Sequence, residues 1–572
     1  NLNWLNPAPE YPYSWAEGPV MWKYNGYYYY SFARDLGGGQ KVMRSRTLTA
    51  DQSAWEMLGD FFNENDPQKG SSLFTSPNHA SAAVMLDDST SWVIHPLYAK
   101  GEWKGQGRQG LLNQVHYDAN GKPVADYPVN KSFTAPKLPS SGIPWMVPHS
   151  DFFTSSELHP EWSFLGYTPA VKYSLTDRPG WLRLSPKDKA LANTVIKNDG
   201  EHNYSLITRL DFNAQSTTDQ AGLWIMRGDQ TMEVKLVSTL STEGFKVITY
   251  SFKSTIYETE NTIGDTLWLK LVRINHKISG YFSGDGFDWI EIGAPIDISE
   301  IDSFSDFSTF TGTRQGLYVK GMSDAWFDFY IYRDAYTPIM AECPANQFGT
   351  ALVLNKYPPN SLGKIHNDDW ALYAGVEFGN TEYAKSCDSL KITASCLTAG
   401  SAVEVYLDSI DVNTKIAVCA IDTTGSWTNF QTFTTDLLNP ISGNHDVYLK
   451  FVGSGSGELF RLQSFQFITN SKPTAINSRP ENNLPRRFYL EQNYPNPFNP
   501  VTRIKYSVPK TSYLTIKVYD VMGREVATVF DGVQQAGNYT AILDGSNLTS
   551  GIYFYKMETN GFVETKKLVL LK

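Results

Sequence analysis

Ser14-Trp15-Ala16-Glu17-Gly18-Pro19, followed by Met21-Trp22-Lys23-Tyr24-Asn25-Gly26-Tyr27-Tyr28-Tyr29-Tyr30, sets the pattern for the rest of the chain. Two short aromatic strands flank Asn25-Gly26, the dipeptide that best tolerates the positive φ angles of a two-residue hairpin turn. One carboxylate, Glu17, stands just before the first strand, between Trp15 and a Gly-Pro step. Aromatic neighbours lower local polarity and favour the protonated acid, the state in which a carboxyl group acts as a general acid. The plainer alternative is a loop carboxylate that caps a turn or binds water.

The same texture continues outward. The 572 residues are 14% aromatic and only 19% charged, and exceed what one hydrophobic core supports. Short runs rich in Tyr, Phe, Val, Thr and Ile alternate with Gly, Asn, Asp and Pro, so the fold class is all-β, in several domains. A net charge of −10 argues against nucleic acid, which rewards clustered Lys and Arg. Aromatic-rich, weakly acidic β proteins suit neutral polyhydroxylated ligands, because the C–H face of a sugar lies flat on an aromatic ring. There is no run of 18 apolar residues and hence no transmembrane helix, and Asn1-Leu2-Asn3-Trp4-Leu5-Asn6 lacks the features of a signal peptide. The four cysteines, Cys343, Cys387, Cys396 and Cys419, allow three pairings, without metal-type C-x-x-C spacing. Nothing points to an organic cofactor.

Strand-like runs with Gly turns recur through Gln40-Lys41-Val42-Met43-Arg44-Ser45, Ser91-Trp92-Val93-Ile94-His95 and Leu111–Tyr117, the rhythm of β-propeller blades. Glu17-Gly18-Pro19 with Lys23-x-x-Gly26-Tyr-Tyr-Tyr, then Asn78-His79-Ala80-Ser81, then Gly107-Arg108 with Asn120-Gly121-Lys122-Pro123, resemble glycoside hydrolase family 43 in order and spacing. The resemblance implies a five-bladed propeller cleaving xylosyl or arabinosyl linkages by inversion, with Glu17 as general acid. It maps His79 to the residue that supports a cation near the propeller axis, and Arg108 to the sugar subsite. Tyr98, Trp92 and Trp103 either face the sugar or are half-buried blade aromatics. Inversion needs a second carboxyl group roughly 6.5–9.5 Å from the first. The family's base and its acid-tuning Asp precede the Glu, yet here 16 residues precede Glu17 and Glu10 is the one acid among them. Residues 1–147 therefore read as the C-terminal blades of a propeller whose N-terminal part is missing, a fragment expected to be inactive alone.

Residues 148–335, with alternating runs such as Leu223-Trp224-Ile225-Met226 and Thr266–Leu271, read as a β-sandwich. They resemble the concanavalin-like domain that accompanies some family 43 β-xylosidases. Residues 336–470 resemble a family 6 carbohydrate-binding module, a second β-sandwich. Relatives clamp sugar between two rings and an Asn; here Trp427 takes one ring position, while Lys364 and Arg461 hold the places of the other ring and the Asn. The resemblance also implies a structural Ca²⁺ near Glu342, as at the propeller centre near His79. The cysteines all lie in this module, which fits an oxidising location.

Residues 471–487 read as a polar linker. Residues 488–572, from Leu490–Pro500 through Val518-Tyr519-Asp520-Val521-Met522-Gly523 to Lys566-Lys567-Leu568-Val569-Leu570, resemble the immunoglobulin-like sorting domain of type IX secretion. The implied location is secreted or on the outer surface of a Gram-negative bacterium. The implied partners are the secretion machinery and a polysaccharide such as xylan, arabinoxylan or arabinan. A non-catalytic surface carbohydrate-binding protein is the alternative function.

Overall fold

The computed structural model describes residues 16–571 except 35–38, 87–88, 130–135, 137–149, 165–171, 188–192, 199–200, 228–231, 304–311, 343, 356–359, 380–386, 470–487, 491, 494–495, 535–536 and 560–561. Trp15, Cys343, the 147/148 boundary and the linker at 471–487 thus lie outside the described residues. The chain divides into two compact units, Asn1–Thr474 and Ala475–Lys572. The fold is all-β: among the described residues the α-helix is confined to Ser299–Ser303, and no helix is long and apolar enough to cross a membrane.

The first unit opens with two four-stranded antiparallel meanders. One is built from β1 (Ala16–Tyr24), β2 (Tyr27–Arg34), β3 (Gln40–Ser45) and β4 (Glu56–Asp60); the other from β5 (Val84–Met85), β6 (Ser91–Tyr98), β7 (Arg108–Tyr117) and β8 (Pro123–Ala125). Asn25 and Gly26 have φ of 45° and 78°, the pair of positive angles a tight β1–β2 turn requires. Glu17 falls inside β1 rather than ahead of it. The strand continues through Gly18-Pro19 as a bulge, with Glu17 opposite Ala33 and Val20 opposite Ser31. Pro19 is tolerated there because β1 is an edge strand, where a missing N–H costs no ladder bond.

Aromatic rings join the two meanders. Trp22 stacks on Tyr29 at 5.3 Å and donates from Nε1 to the Tyr117 hydroxyl at 3.0 Å. The Tyr29 hydroxyl donates to Gly121 O at 2.6 Å. Burial pushes the Tyr117 phenol up to about 12, so it stays a neutral partner.

Residues 150–335 form two facing sheets. One runs in the order Tyr173–Ser174, Leu182–Leu184, Ala325–Tyr332, Asn203–Asp211, Thr266–Ile274, Lys277–Ser283 and Ile290–Glu291. The other is centred on Gln220–Met226, flanked by Glu233–Leu240 and Arg314–Lys320. Strand alternation sends Leu267, Leu269 and Leu271 into the shared core beside Leu223, Ile225, Leu317 and Val319. Each such buried aliphatic side chain contributes about 1.5–3 kcal/mol.

A six-stranded and a five-stranded sheet follow, closing over Leu390, Ile392, Val403, Val405, Leu449, Phe451, Phe465 and Phe467. Cys387, Cys396 and Cys419 are buried in this layer as free thiols, so burial, not a cross-link among these three, is what they supply. The second unit, described by itself, pairs a three-stranded sheet with a four-stranded one around Ile504, Leu514, Ile516, Val518, Tyr555 and Leu568.

Candidate active site

Gly18 sets the geometry around Glu17. Its φ is 52°, and a Cβ placed on it would lie 2.8 Å from Nδ1 of His79. Only glycine lets the imidazole lie so close to the bulge. His79, itself at φ 51°, then reaches Glu17: Nε2 and Oε2 are 3.1 Å apart, across 62 residues of sequence. The Glu17 side chain is 45% exposed, open to a ligand, while that of His79 is 25% exposed. Which of the two atoms carries the proton follows from the imidazole tautomer and the ionisation of Glu17.

Gly18, His79, Ser81, His95 and Gly110 line the open concavity beside this pair. His95 received no role in the sequence reading. It is fully buried, edge-on to Phe62, with Nε2 2.7 Å from Asn113 Oδ1. Burial holds its pKa below the usual histidine range, so it is a neutral wall of the cavity. Arg108 heads β7, two residues before Gly110, with its guanidinium 5.4 Å over the ring of Tyr98, its cross-strand partner. Burial raises the Tyr98 phenol and the Arg108 charge opposes that rise. Trp92 is buried and bonded to Thr90 Oγ1 at 2.8 Å, the blade aromatic of the two readings offered above.

Trp103 does something else. It sits in the 3₁₀ turn Gly101–Gln106 between β6 and β7 and stacks against both His202 and His276 of the sandwich. Behind it Asp302 accepts from Arg273 at 2.5 Å, with both side chains fully buried, and faces His276 Nδ1 at 2.8 Å. Burial works against the Asp302 carboxylate, but Arg273 and His276 together hold it below the usual carboxylate range. These contacts were missed because no local pattern links a loop tryptophan to two distant histidines.

Glu342 is placed as a clip. It is 5% exposed, and its Oε1 accepts from Asn203 Nδ2 at 2.7 Å and Asn275 Nδ2 at 2.9 Å, tying the module to the sandwich. Two amide donors fill that oxygen, so a cation held by Glu342 would take the other one, Oε2. At His79, Nε2 faces Glu17, so a cation bound through that nitrogen would compete with this contact. No group of three or more His, Cys, Asp or Glu able to hold a metal occurs among the described residues. Trp427 lies at the module's loop edge, where Ser395 Oγ donates to its carbonyl at 2.9 Å. The Arg461 guanidinium lies over one face of its half-buried ring at 4.9 Å.

Three family models match, one for each later segment. Residues 150–333 match the β-xylosidase C-terminal concanavalin A-like domain, 341–469 the family 6 carbohydrate-binding module, and 492–571 the secretion system C-terminal sorting domain. Family 43 glycosidases are relatives of this chain. A non-reducing end α-L-arabinofuranosidase of Bacteroides ovatus is 26% identical over 351 residues, covering 55% of this chain and 62% of that protein. An arabinoxylan arabinofuranohydrolase of Paenibacillus polymyxa is 31% identical over 147 residues, 25% of this chain and 22% of its own length. Among solved structures, a family 43 protein of Bacillus licheniformis matches with a TM-score of 0.48 at 25% identity, over 55% of this chain and 65% of that one. The chain therefore spans less than two thirds of the length of these relatives. Its sorting domain marks it for type IX secretion to the outer surface or the extracellular space.

Proposed function

We propose that the chain is the later part of a secreted hemicellulose glycosidase that cleaves xylosyl or arabinosyl linkages by inversion. The five segments 1–147, 148–335, 336–470, 471–487 and 488–572 serve as blades, buttress, sugar-binding module, linker and export tag. The Glu17–His79 contact carries the reading, because Gly18 brings an exposed carboxyl group and an imidazole together at the mouth of a cavity. Glu17 protonates the leaving glycosidic oxygen, and His79 orients its carboxyl group and passes the proton back between turnovers. Arg108 shapes the sugar subsite. The base that activates water stands roughly 6.5–9.5 Å from the acid in such enzymes, and we assign it to a part of the propeller outside this chain, which alone is inactive. The relatives' greater length supports that assignment.

Hydrolysis of nitrophenyl xyloside and arabinofuranoside by this chain and by the gene-length enzyme tests the proposal. The gene-length enzyme turns over with inverted product, this chain does not, and Glu17→Gln abolishes most of the activity. Turnover by this chain alone contradicts the assignment of the base. The exposure of Glu17 favours one second reading, a non-catalytic surface carbohydrate-binding protein. A gene-length product that is inert and indifferent to Glu17→Gln selects it.

A further inference from the structure

The ring of Trp427 changes what the module's edge can hold. With a guanidinium lying over it, one face of that half-buried ring is engaged by a cation, which competes there with the C–H face of a neutral sugar. Arg461 is fixed in this pose. Its Nε donates to Glu458 Oε1 at 3.2 Å, and the backbone N–H of Lys364 donates to the same oxygen at 2.9 Å. One carboxylate thus sets the guanidinium plane and brings the Lys364 backbone beside it.

The framework beneath is built from paired strands. Arg461 opens the strand Arg461–Ile468 opposite Ser395, whose hydroxyl holds the Trp427 carbonyl, while Leu462 pairs with Leu362, two residues before Lys364. Glu458 supplies one negative charge against two positive ones, and that charge already faces Arg461 Nε. Among the described residues, neither the terminal guanidinium nitrogens of Arg461 nor Nζ of Lys364 has a protein acceptor, and Lys364 is exposed. Two cationic side chains therefore leave the backbone at one edge, Arg461 and Lys364 meeting the same Glu458 oxygen through Nε and the backbone N–H, in a chain whose net charge is −10. A planar guanidinium with two spare donors matches a carboxylate, and an adjacent ammonium adds a second charge-assisted bond.

We infer that this edge binds a saccharide through a carboxylate, taking a uronosyl residue between Lys364 and Arg461 instead of a neutral pentose stacked on Trp427. The inference deepens the sugar-binding reading of the module and does not depend on Glu17. Two sources share the chemistry: a glucuronosyl branch on xylan and a galacturonosyl run of pectin.

Calorimetric titration of the full 572-residue chain with xylotriose, glucuronosyl-xylotriose and trigalacturonate tests it. At least one uronate binds about tenfold more tightly than xylotriose, and the advantage shrinks on raising NaCl to about 0.3 M, as for an exposed charge contact. The uronate that prevails identifies the source. Lys364→Ala lowers its affinity and leaves xylotriose unaffected. Arg461→Ala removes the preference and raises xylotriose affinity, because that face of the Trp427 ring is freed. The inference is overturned if xylotriose equals or exceeds both uronates, or if none of the three binds. Hydrolysis is read separately on the gene-length enzyme, so an inert gene-length product beside a 572-residue chain that still prefers uronates counts for this inference and against the glycosidase reading.

Discussion

The indole of Trp103 lies parallel to the imidazole of His202, with ring centroids 3.5 Å apart and planes 6° from coincidence. His276 stacks on the same indole at 4.0 Å. The corner of the sandwich that carries these histidines also carries Asn203 and Asn275, which hold Glu342 of the next module. Two adjacent residue pairs, His202-Asn203 and Asn275-His276, therefore fasten the blades on one side and the binding module on the other. Asn275 at φ 54° makes the tight turn that brings the pairs together.

Trp103→Ala removes the stacked ring from this corner. A fully buried Trp→Ala change costs about 3–5 kcal/mol, and this half-buried one about 2 kcal/mol. Urea unfolding followed by circular dichroism should show an early loss of the blade segment, and Trp103→Phe should restore most of it. An unchanged transition would show that the stacking does not hold the blades.

Acid should loosen the same corner. Burial first, then the Arg273 charge, holds the His202 imidazole down to about 3, against 6.5 ordinarily. The unfolded chain binds the extra proton between those values, so this contribution is complete above pH about 6.5 and lost as the pH falls toward 3. Asp302, held below its usual range, loses its contribution only at lower pH, below about 4. His202→Phe keeps a flat ring without a titrating nitrogen. Unfolding midpoints at pH 7, 5.5 and 4.5 should fall less steeply for this variant than for the native chain, and parallel curves would refute the assignment.

Glu342→Ala leaves the Asn203 and Asn275 amides facing a void. An unsatisfied buried polar group costs about 1–3 kcal/mol, whereas Glu342→Gln keeps an acceptor oxygen and costs less. Differential scanning calorimetry in EDTA separates this role from cation binding. If chelator shifts the native midpoint as far as Glu342→Ala does, the clip holds a cation as well.

Gly18→Ala adds a Cβ where His79 Nδ1 stands, at a φ that L residues adopt with strain of about 1–2 kcal/mol. A crystal structure of the variant should show His79 displaced from Glu17. A retained 3.1 Å contact would mean that the bulge does not depend on glycine.

Local chemistry made much of the fold legible. Asn25-Gly26 announced its hairpin because the angles it needs are intrinsic to those residues, and Leu267, Leu269 and Leu271 announced a core face by strict alternation. Glu17 was placed one step out, because a bulge at Gly18-Pro19 continues the strand where Gly and Pro together read as a break. The candidate site was legible only through the resemblance, since Glu17 and His79 are distant in sequence. Trp103, His202 and His276 were not legible at all. Each belongs to a different stretch, and only tertiary packing gives a tryptophan two imidazole neighbours. Trp427 was found by position, but the guanidinium over it came from Arg461, whose orientation depends on Glu458. The amide partners of Glu342 lie in another domain, where no local pattern announces them.

The central claim is that Glu17 donates a proton to the leaving group, and the dependence of rate on leaving-group acidity tests it most directly. In the gene-length enzyme, Glu17→Gln should cut kcat/KM by about 10²–10⁴ on an unactivated xylo- or arabino-oligosaccharide, the usual contribution of general acid catalysis. On a dinitrophenyl glycoside, whose leaving group needs no proton, the loss should be small. An equal loss on both substrates, or none on either, contradicts the account.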